Sequence, residues 1–383
     1  MKFNKWTLAL AAVGAVSLTS VAQAEEQMMV GSQAAAGLTS TTISGYVDTS
    51  AHWNIGRDNV TGPDTAGLIG FGDNKQDGFN LNVVQLSLSK ALDESEWASG
   101  YRADLWFGPD AVTLGSQASG DVAIRQAYVA LRTPVGNGID WKMGVFDTIV
   151  GYETLESGNN PNYTRSFGFT MEPTTHTGLL GTYRFSDSLS ASAGVANTYG
   201  PTINERADGA AGGESRKTYM GSVALTAPSD WGWVAGSSLY LGAISGVDRA
   251  QTPQSREHFY AGLTLATPVA GLKVGASADY SHLRHDTAGI ENAYAYALYA
   301  SFQATEKLSL HGRADYGALQ AEAAPGVRVD ATAMTLTAQY DLWKNVISRA
   351  ELRWDHNDNA LYEVNGGNAK NTYLAALNLI YKF

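Results

Sequence analysis

The amino-acid sequence predicts an all-β chain: one antiparallel sheet of about sixteen strands, wound up and down and closed into a transmembrane barrel. Three observations predict it. Apolar and polar residues alternate with period two in segment after segment, which places one apolar and one polar face on each strand. The gaps between segments alternate between short turns and long polar loops. The apolar parity carries no charge in the body of the segments counted, Lys90 sitting at a strand end, and its aromatics collect at the segment ends.

Residues 1–24 read as a signal peptide. Lys2 and Lys5 open it, an apolar run from Trp6 to about Val16 follows, and Ala22-Gln23-Ala24 is a small-residue cleavage pattern. The apolar run is too short to span a bilayer as a helix. Cleavage would leave 359 residues at a net charge of −13, beginning with a short periplasmic segment over 25–40.

The barrel then occupies 41–383. Ile43, Gly45, Val47, Thr49, Ala51 and Trp53 form the outward parity of the first strand, against Ser44, Tyr46, Asp48, Ser50, His52 and Asn54. Sixteen such segments lie near 43–54, 81–90, 99–107, 122–133, 140–146, 176–186, 188–198, 217–227, 234–246, 257–266, 271–283, 292–303, 307–318, 329–341, 345–356 and 370–383. Most have the length a tilted strand needs to cross a bilayer. Those at 81–90 and 140–146 alternate least cleanly. Short links such as Ser186-Asp187 and Thr305-Glu306 mark one side, and long links such as 55–78, 108–121 and 147–175 mark the other. An even strand number puts both ends of the barrel on the short-turn, periplasmic side. Outward aromatics form two rings, with Trp53, Phe107, Phe259 and Trp354 among those toward the loops and Tyr101, Phe185, Phe302 and Tyr340 among those toward the turns. Leu379, Tyr381 and Phe383 close the last strand with alternating apolar residues and a terminal aromatic, the pattern of a barrel assembly signal.

Composition narrows the function. Lys plus Arg number 26 and Asp plus Glu 37, a net charge of −11 that argues against nucleic acid as a partner. Charged residues are 16%, and the absence of cysteine excludes disulfide scaffolds and thiolate chemistry. No phosphate-binding loop is present. His282 and His285 would point to opposite faces of a strand, so no metal site or cofactor is expected.

Several stretches carry a family resemblance: SGYVDTS at 44–50, GFNLNVVQLSL at 78–88, YRADLWFGPDA at 101–111, and the run from Arg125 to Gly178. They resemble the OmpL-like β-barrel porins of Gram-negative bacteria, with Val84 standing where the family pattern would have a polar residue. The resemblance implies a passive pore in the cell outer membrane and supplies no catalytic residues.

Sixteen tilted strands give a backbone diameter on the order of 30 Å, too wide for side chains alone to fill. Inward parity supplies a polar wall that includes Arg102, Asp104, Arg132, Arg313, Arg349, Glu351 and Arg353. The loop at 147–175 is the longest, at 29 residues, and is expected to fold inward as a constriction. It brings Asp147, Glu153, Glu156 and Glu172 against Arg165, and acid on the loop facing base on the wall would set a transverse field. The external loops sum to −10, while the wall is near neutral, which leaves the sign of selectivity open. Inward aromatics at Trp106, Tyr128, Tyr240, Tyr260 and Tyr299 keep a substrate-specific sugar or anion channel as the alternative, ahead of an outer-membrane enzyme or an adhesin. The partners this reading calls for are outer-membrane lipid, the outer-membrane assembly machinery and small hydrophilic solutes, with a homotrimer as the candidate assembly.

Overall fold

The computed structural model describes residues 41–55, 75–207, 216–247, 255–285, 289–321, 327–359, 362–364 and 367–383. The signal peptide at 1–24 and the segment 25–40 lie outside these residues, as do parts of most external loops; 108–121 and 147–175 lie wholly within them.

Sixteen strands, among the described residues, form the barrel wall. They are β1 Thr42–Ile55, β2 Gly78–Lys90, β3 Ser99–Phe107, β4 Val122–Thr133, β5 Ile139–Asp147, β6 Thr175–Arg184, β7 Leu189–Ala196 and β8 Thr218–Thr226, followed by β9 Ser238–Val247, β10 Ser255–Ala266, β11 Leu272–His285, β12 Gly289–Gln303, β13 Leu308–Ala321, β14 Val327–Trp343, β15 Val346–Asn357 and β16 Asn371–Lys382. Each pairs antiparallel with its sequence neighbours, and β1 pairs with both β2 and β16, which closes the sheet. Closure removes the free edges that an open sheet would expose in lipid. At the seam the Gly45 and Phe383 backbones exchange hydrogen bonds of 2.9 and 3.0 Å. The Phe383 ring lies where a Cβ on Gly45 would stand, so glycine admits the terminal aromatic against the sheet.

The outward parity is apolar and faces lipid: Val129, Met143, Leu298, Leu310, Leu336, Leu352 and Leu377 are all exposed. Outward aromatics stack across neighbouring strands, Phe259 on Tyr280 and Tyr280 on Tyr294, with centroids 6.2 and 5.0 Å apart.

Two bulges alter the simple alternation. In β2, Asp48 pairs with Val83 but Thr49 pairs with Leu81, so Asn82 is an extra residue. Asn82 and Val83 are therefore both buried inside, and Val84, Leu86 and Leu88 return to the lipid side. That is why Val84 is apolar. In β4, Asp104 pairs with Gln126 and Leu105 with Ile124, which leaves Arg125 extra. Strict alternation from Tyr128 and Arg132 would have aimed Arg125 at lipid, a charge the outward count overlooked; the bulge turns it inward, where it is 2% exposed.

Two loops enter the lumen. Residues 108–121 contribute helix α1, Pro109–Leu114, whose Ala111 is fully buried. Residues 147–175 contribute helix α2, Phe167–Met171, capped by Ser166.

Candidate functional site

The loop 147–175 lies against the inner wall and is gripped by it. From the end of β5 the loop first meets the neighbouring wall, over β6 to β10. Ile149 and Val150 pack with Leu180, Met220, Ile244 and Tyr260 of the wall. The Tyr152 ring stacks on Tyr299 at 4.0 Å, and its hydroxyl fills the space a side chain at Gly275 would need. Leu155 then reaches a second apolar cluster with Tyr46, Val83, Trp106, Ile347 and Ile380. Apolar residues on a water-facing parity have a physical cause here: the loop covers them.

Over β13 to β15 the grip is polar and directed at the loop backbone. Arg313 donates to the carbonyls of Thr164 and Arg165 at 2.8 and 2.9 Å. Arg349 donates to the carbonyls of Ser157 and Asn160 at 3.0 and 2.7 Å. Arg353 donates to the Arg165 carbonyl at 2.6 Å. The Glu351 carboxylate accepts from the backbone N–H groups of Tyr163 and Thr164 at 2.6 and 2.9 Å. The Tyr163 hydroxyl donates to Ser50 on β1 at 2.8 Å, and Lys382 on β16 reaches the Gly158 carbonyl at 3.2 Å. Guanidinium groups suit this task, since one rigid fork satisfies several carbonyls that the buried loop would otherwise leave unpaired.

Glu153 meets Arg313 at 2.8 Å with both side chains fully buried, and its other oxygen accepts from the Ser166 N–H. This acid and base therefore pair directly and do not face one another across water. Arg165 is also buried; it donates to the carbonyls of Tyr163 and Leu155, lies 5.3 Å over the Phe169 ring, and braces the loop internally. Burial pulls the Arg165 guanidinium below its ordinary value.

A second charge cluster sits over β3 to β5. Arg102 reaches Asp104 at 2.7 Å and Glu156 at 3.2 Å. Arg125 binds Asp104 at 3.1 Å and Asp147 at 2.8 Å, and its guanidinium lies 5.7 Å over the Trp106 ring. Here water has access: the side chains of Arg102, Asp147 and Glu156 are 34%, 40% and 18% exposed. Lys142, half-buried on β5, stands 5.0 Å over the Tyr128 ring.

Of the residues the sequence singled out, the structure brings Asp147, Glu156, Arg102 and Asp104 into one cluster, and Glu153, Arg313, Arg349, Glu351 and Arg353 against the loop in another. Arg132 belongs to neither. It pairs with Asp140 at 2.6 Å and donates to the Asp93 carbonyl, because it lies one residue from the end of β4 at the turn side. Arg125 was missed for the reason of its bulge. Of the inward aromatics, Trp106, Tyr260 and Tyr299 are buried and only Tyr128 and Tyr240 are partly uncovered, so they form no continuous track. Leu379, Tyr381 and Phe383 lie on the outer face beside β1 and β15.

A family described as putative beta-barrel porin-2, OmpL-like, matches residues 40–383. No curated protein matches the chain. Among solved structures, the trimer form of OmpT, an outer membrane protein of Vibrio cholerae, is similar at 12% identity and a TM-score of 0.61, over 90% of this chain and 99% of that one. The anion-selective porin from Comamonas acidovorans is similar at 16% identity and a TM-score of 0.59, over 90% and 99%. OmpF of Salmonella typhi, solved with daunomycin, is similar at 12% identity and a TM-score of 0.60, over 90% and 97%. At such identities the likeness is one of fold. Family membership rests on the family match, which spans the whole barrel: the chain belongs to the OmpL-like β-barrel porin-2 family and is a channel of the Gram-negative outer membrane.

Proposed function

We propose that this channel passes small hydrophilic solutes by passive diffusion and that the loop 147–175 sets its narrowest point. The observation that carries the reading is the backbone-directed grip: Arg313, Arg349, Arg353 and Glu351 hold the loop across the lumen. A loop fixed in that way narrows the passage without closing it by chance motion. In this reading the four wall residues are positioning residues, and Glu153 and Arg165 belong to the same framework. The passage runs along β3 to β5, where Arg102, Asp147 and Glu156 keep contact with water and Lys142 and Tyr128 stand nearby. Ions there meet carboxylates less screened than those on the outer loops.

The chain performs no reaction of its own in this reading. Residues 1–24 serve export, 25–40 stay periplasmic, and Leu379, Tyr381 and Phe383 address the outer-membrane assembly machinery. A homotrimer is the assembly we favour, on the fold shared with the trimer form of OmpT. The test is single-channel recording in planar bilayers. Shortening the loop by about ten residues should raise conductance, since a wider waist carries more current. Unchanged conductance would move the constriction elsewhere.

A further inference from the structure

The outward face of β11 to β16 carries one hydrogen-bonded design three times at its loop-side end. The Tyr280 hydroxyl donates to Asn292 Oδ1 at 2.9 Å, and Nδ1 of His282 meets the same oxygen at 2.9 Å. The Trp354 Nε1–H donates to Asn371 Oδ1 at 2.9 Å, and Nδ1 of His356 meets that oxygen at 3.0 Å. The Tyr316 hydroxyl donates to Asp330, whose carboxylate oxygens also take Nε of Arg328 at 3.0 and 2.9 Å. Each triad ties a ring of the aromatic girdle to a nitrogen-bearing side chain through a shared acceptor, across two neighbouring strands. The histidine or arginine lies beyond the ring, toward the loops. Arg284, two residues past His282 on the same face, is exposed.

The placement fits a boundary. Tyrosine and tryptophan rings mark where hydrocarbon gives way to headgroups, so outward residues one step beyond them stand among headgroups. The wall is built to reach that depth here. Strands β11 to β14 have 14, 15, 14 and 17 residues, against 8, 9 and 10 for β7 to β9. Phe79 and Phe107, on β2 and β3, carry rings without a donor and start no such triad.

We propose that the loop-side rim of β11 to β16 is a docking surface for the phosphorylated saccharide headgroups of outer-leaflet glycolipid, with Arg284 and Arg328 taking phosphate and the triads holding the rim beside the girdle. The rim continues the lipid face, and the loop side of a Gram-negative outer-membrane barrel meets the glycolipid leaflet. Charge agrees with that occupant. The Arg328 side chain is 53% exposed although Asp330 and Tyr316 hold it in place, the latter at 2.8 Å. A guanidinium fixed in this way offers paired N–H donors to a phosphate. Glu257 stands opposite His282, and Asp358 lies 3.3 Å from His356, so the two arginines carry the attraction and the histidines belong to the framework.

The test is binding of purified lipopolysaccharide to the full-length barrel in detergent, with phosphatidylglycerol as the anionic phospholipid for comparison. Wild type should prefer lipopolysaccharide, and its binding should weaken with salt. Arg284→Ala and Arg328→Ala should each weaken it about fivefold, the share of one cation at a charged lipid surface. Asn292→Leu with Asn371→Leu should weaken it at unchanged net charge. Lys307→Ala removes an exposed cation from a turn-side link and should leave it unchanged. Heat-modifiable mobility of every variant checks that the barrel has formed. Equal binding of the two lipids, equal loss in Lys307→Ala, or full binding without both arginines overturns the proposal. So does a rim variant that changes the oligomeric state and leaves lipopolysaccharide binding intact, which would give the rim to a second copy of the chain.

Discussion

Arg313, Arg349 and Arg353 on β13 and β15, and Arg102 and Arg125 on β3 and β4, all belong to the inner face of one sheet, yet the two groups meet different surroundings. The first three are buried, and each donates to loop carbonyls while its remaining donors go to a side chain, Asp315 and Glu153 for Arg313, Gln339 for Arg349 and Asp355 for Arg353. In the second group Arg125 is buried as well, but the carboxylates around it, Asp147 and Glu156, stay in contact with water, as does Arg102. The difference is imposed by the loop, which leans on β13 to β16 with its backbone and meets β3 through side chains, the Glu156 carboxylate on Arg102 and Leu155 on Trp106. An inward arginine in a wide barrel is therefore no sign by itself of an ion-facing wall; what covers it decides whether it braces or steers.

The largest effect should come from splitting the sealed pair. Arg313→Ala leaves the buried carboxylates of Glu153 and Asp315 uncompensated, which costs about 3–5 kcal/mol, and Glu153→Ala, with Arg313 still paired to Asp315 at 2.7 Å, should cost less. We expect a lowered unfolding midpoint in detergent and a noisy, wider channel; midpoints within error of the wild type would mean that the β13 wall is wet after all. Replacing Glu153, Arg313 and Asp315 together by apolar residues of similar volume should recover most of the loss.

Next come charges placed on the lipid face. Val274→Arg and Leu310→Arg should each cost about 2–4 kcal/mol near bilayer mid-depth and impair assembly, read as loss of heat-modifiable mobility. Thr335 faces inward, but it is a poor neutral control: it is buried beside Arg313 at 3.3 Å under the loop. Normal assembly of both outward variants would refute the assigned faces.

A third effect concerns insertion. Deleting Phe383 removes the residue whose backbone closes the seam on Gly45 and whose ring covers that glycine. Slower appearance of folded barrel in a reconstituted assembly assay is expected; an unchanged rate would deny the terminus its signalling role.

The smallest structural effect should accompany the clearest electrical one. Asp147→Asn with Glu156→Gln removes two water-accessible carboxylates from β3 to β5 without a buried charge being added, so the reversal potential in a salt gradient should move toward anions. Glu153→Gln, behind its sealed contact, should move it far less. Equal shifts from both would erase the distinction between the two walls.

Strand number, strand bounds within a few residues and lipid face were all legible in the sequence. The physical reason is that a bilayer enforces a two-residue period and forbids charge on one parity, and both constraints are written locally. What the sequence could not supply was pairing across the lumen. Arg132 and Arg313 look alike along the chain, but one sits at a turn beside Asp140 and the other lies under the loop beside Glu153. Arg125 needed a bulge, which depends on how β3 and β4 align, before its charge could face inward. The contact of the Glu351 carboxylate with the N–H groups of Tyr163 and Thr164 joins residues that are far apart in sequence and brought together only when the loop returns across a closed barrel. Local alternation fixes which face a side chain takes; only closure and the path of one loop decide which charges meet, and whether water is between them.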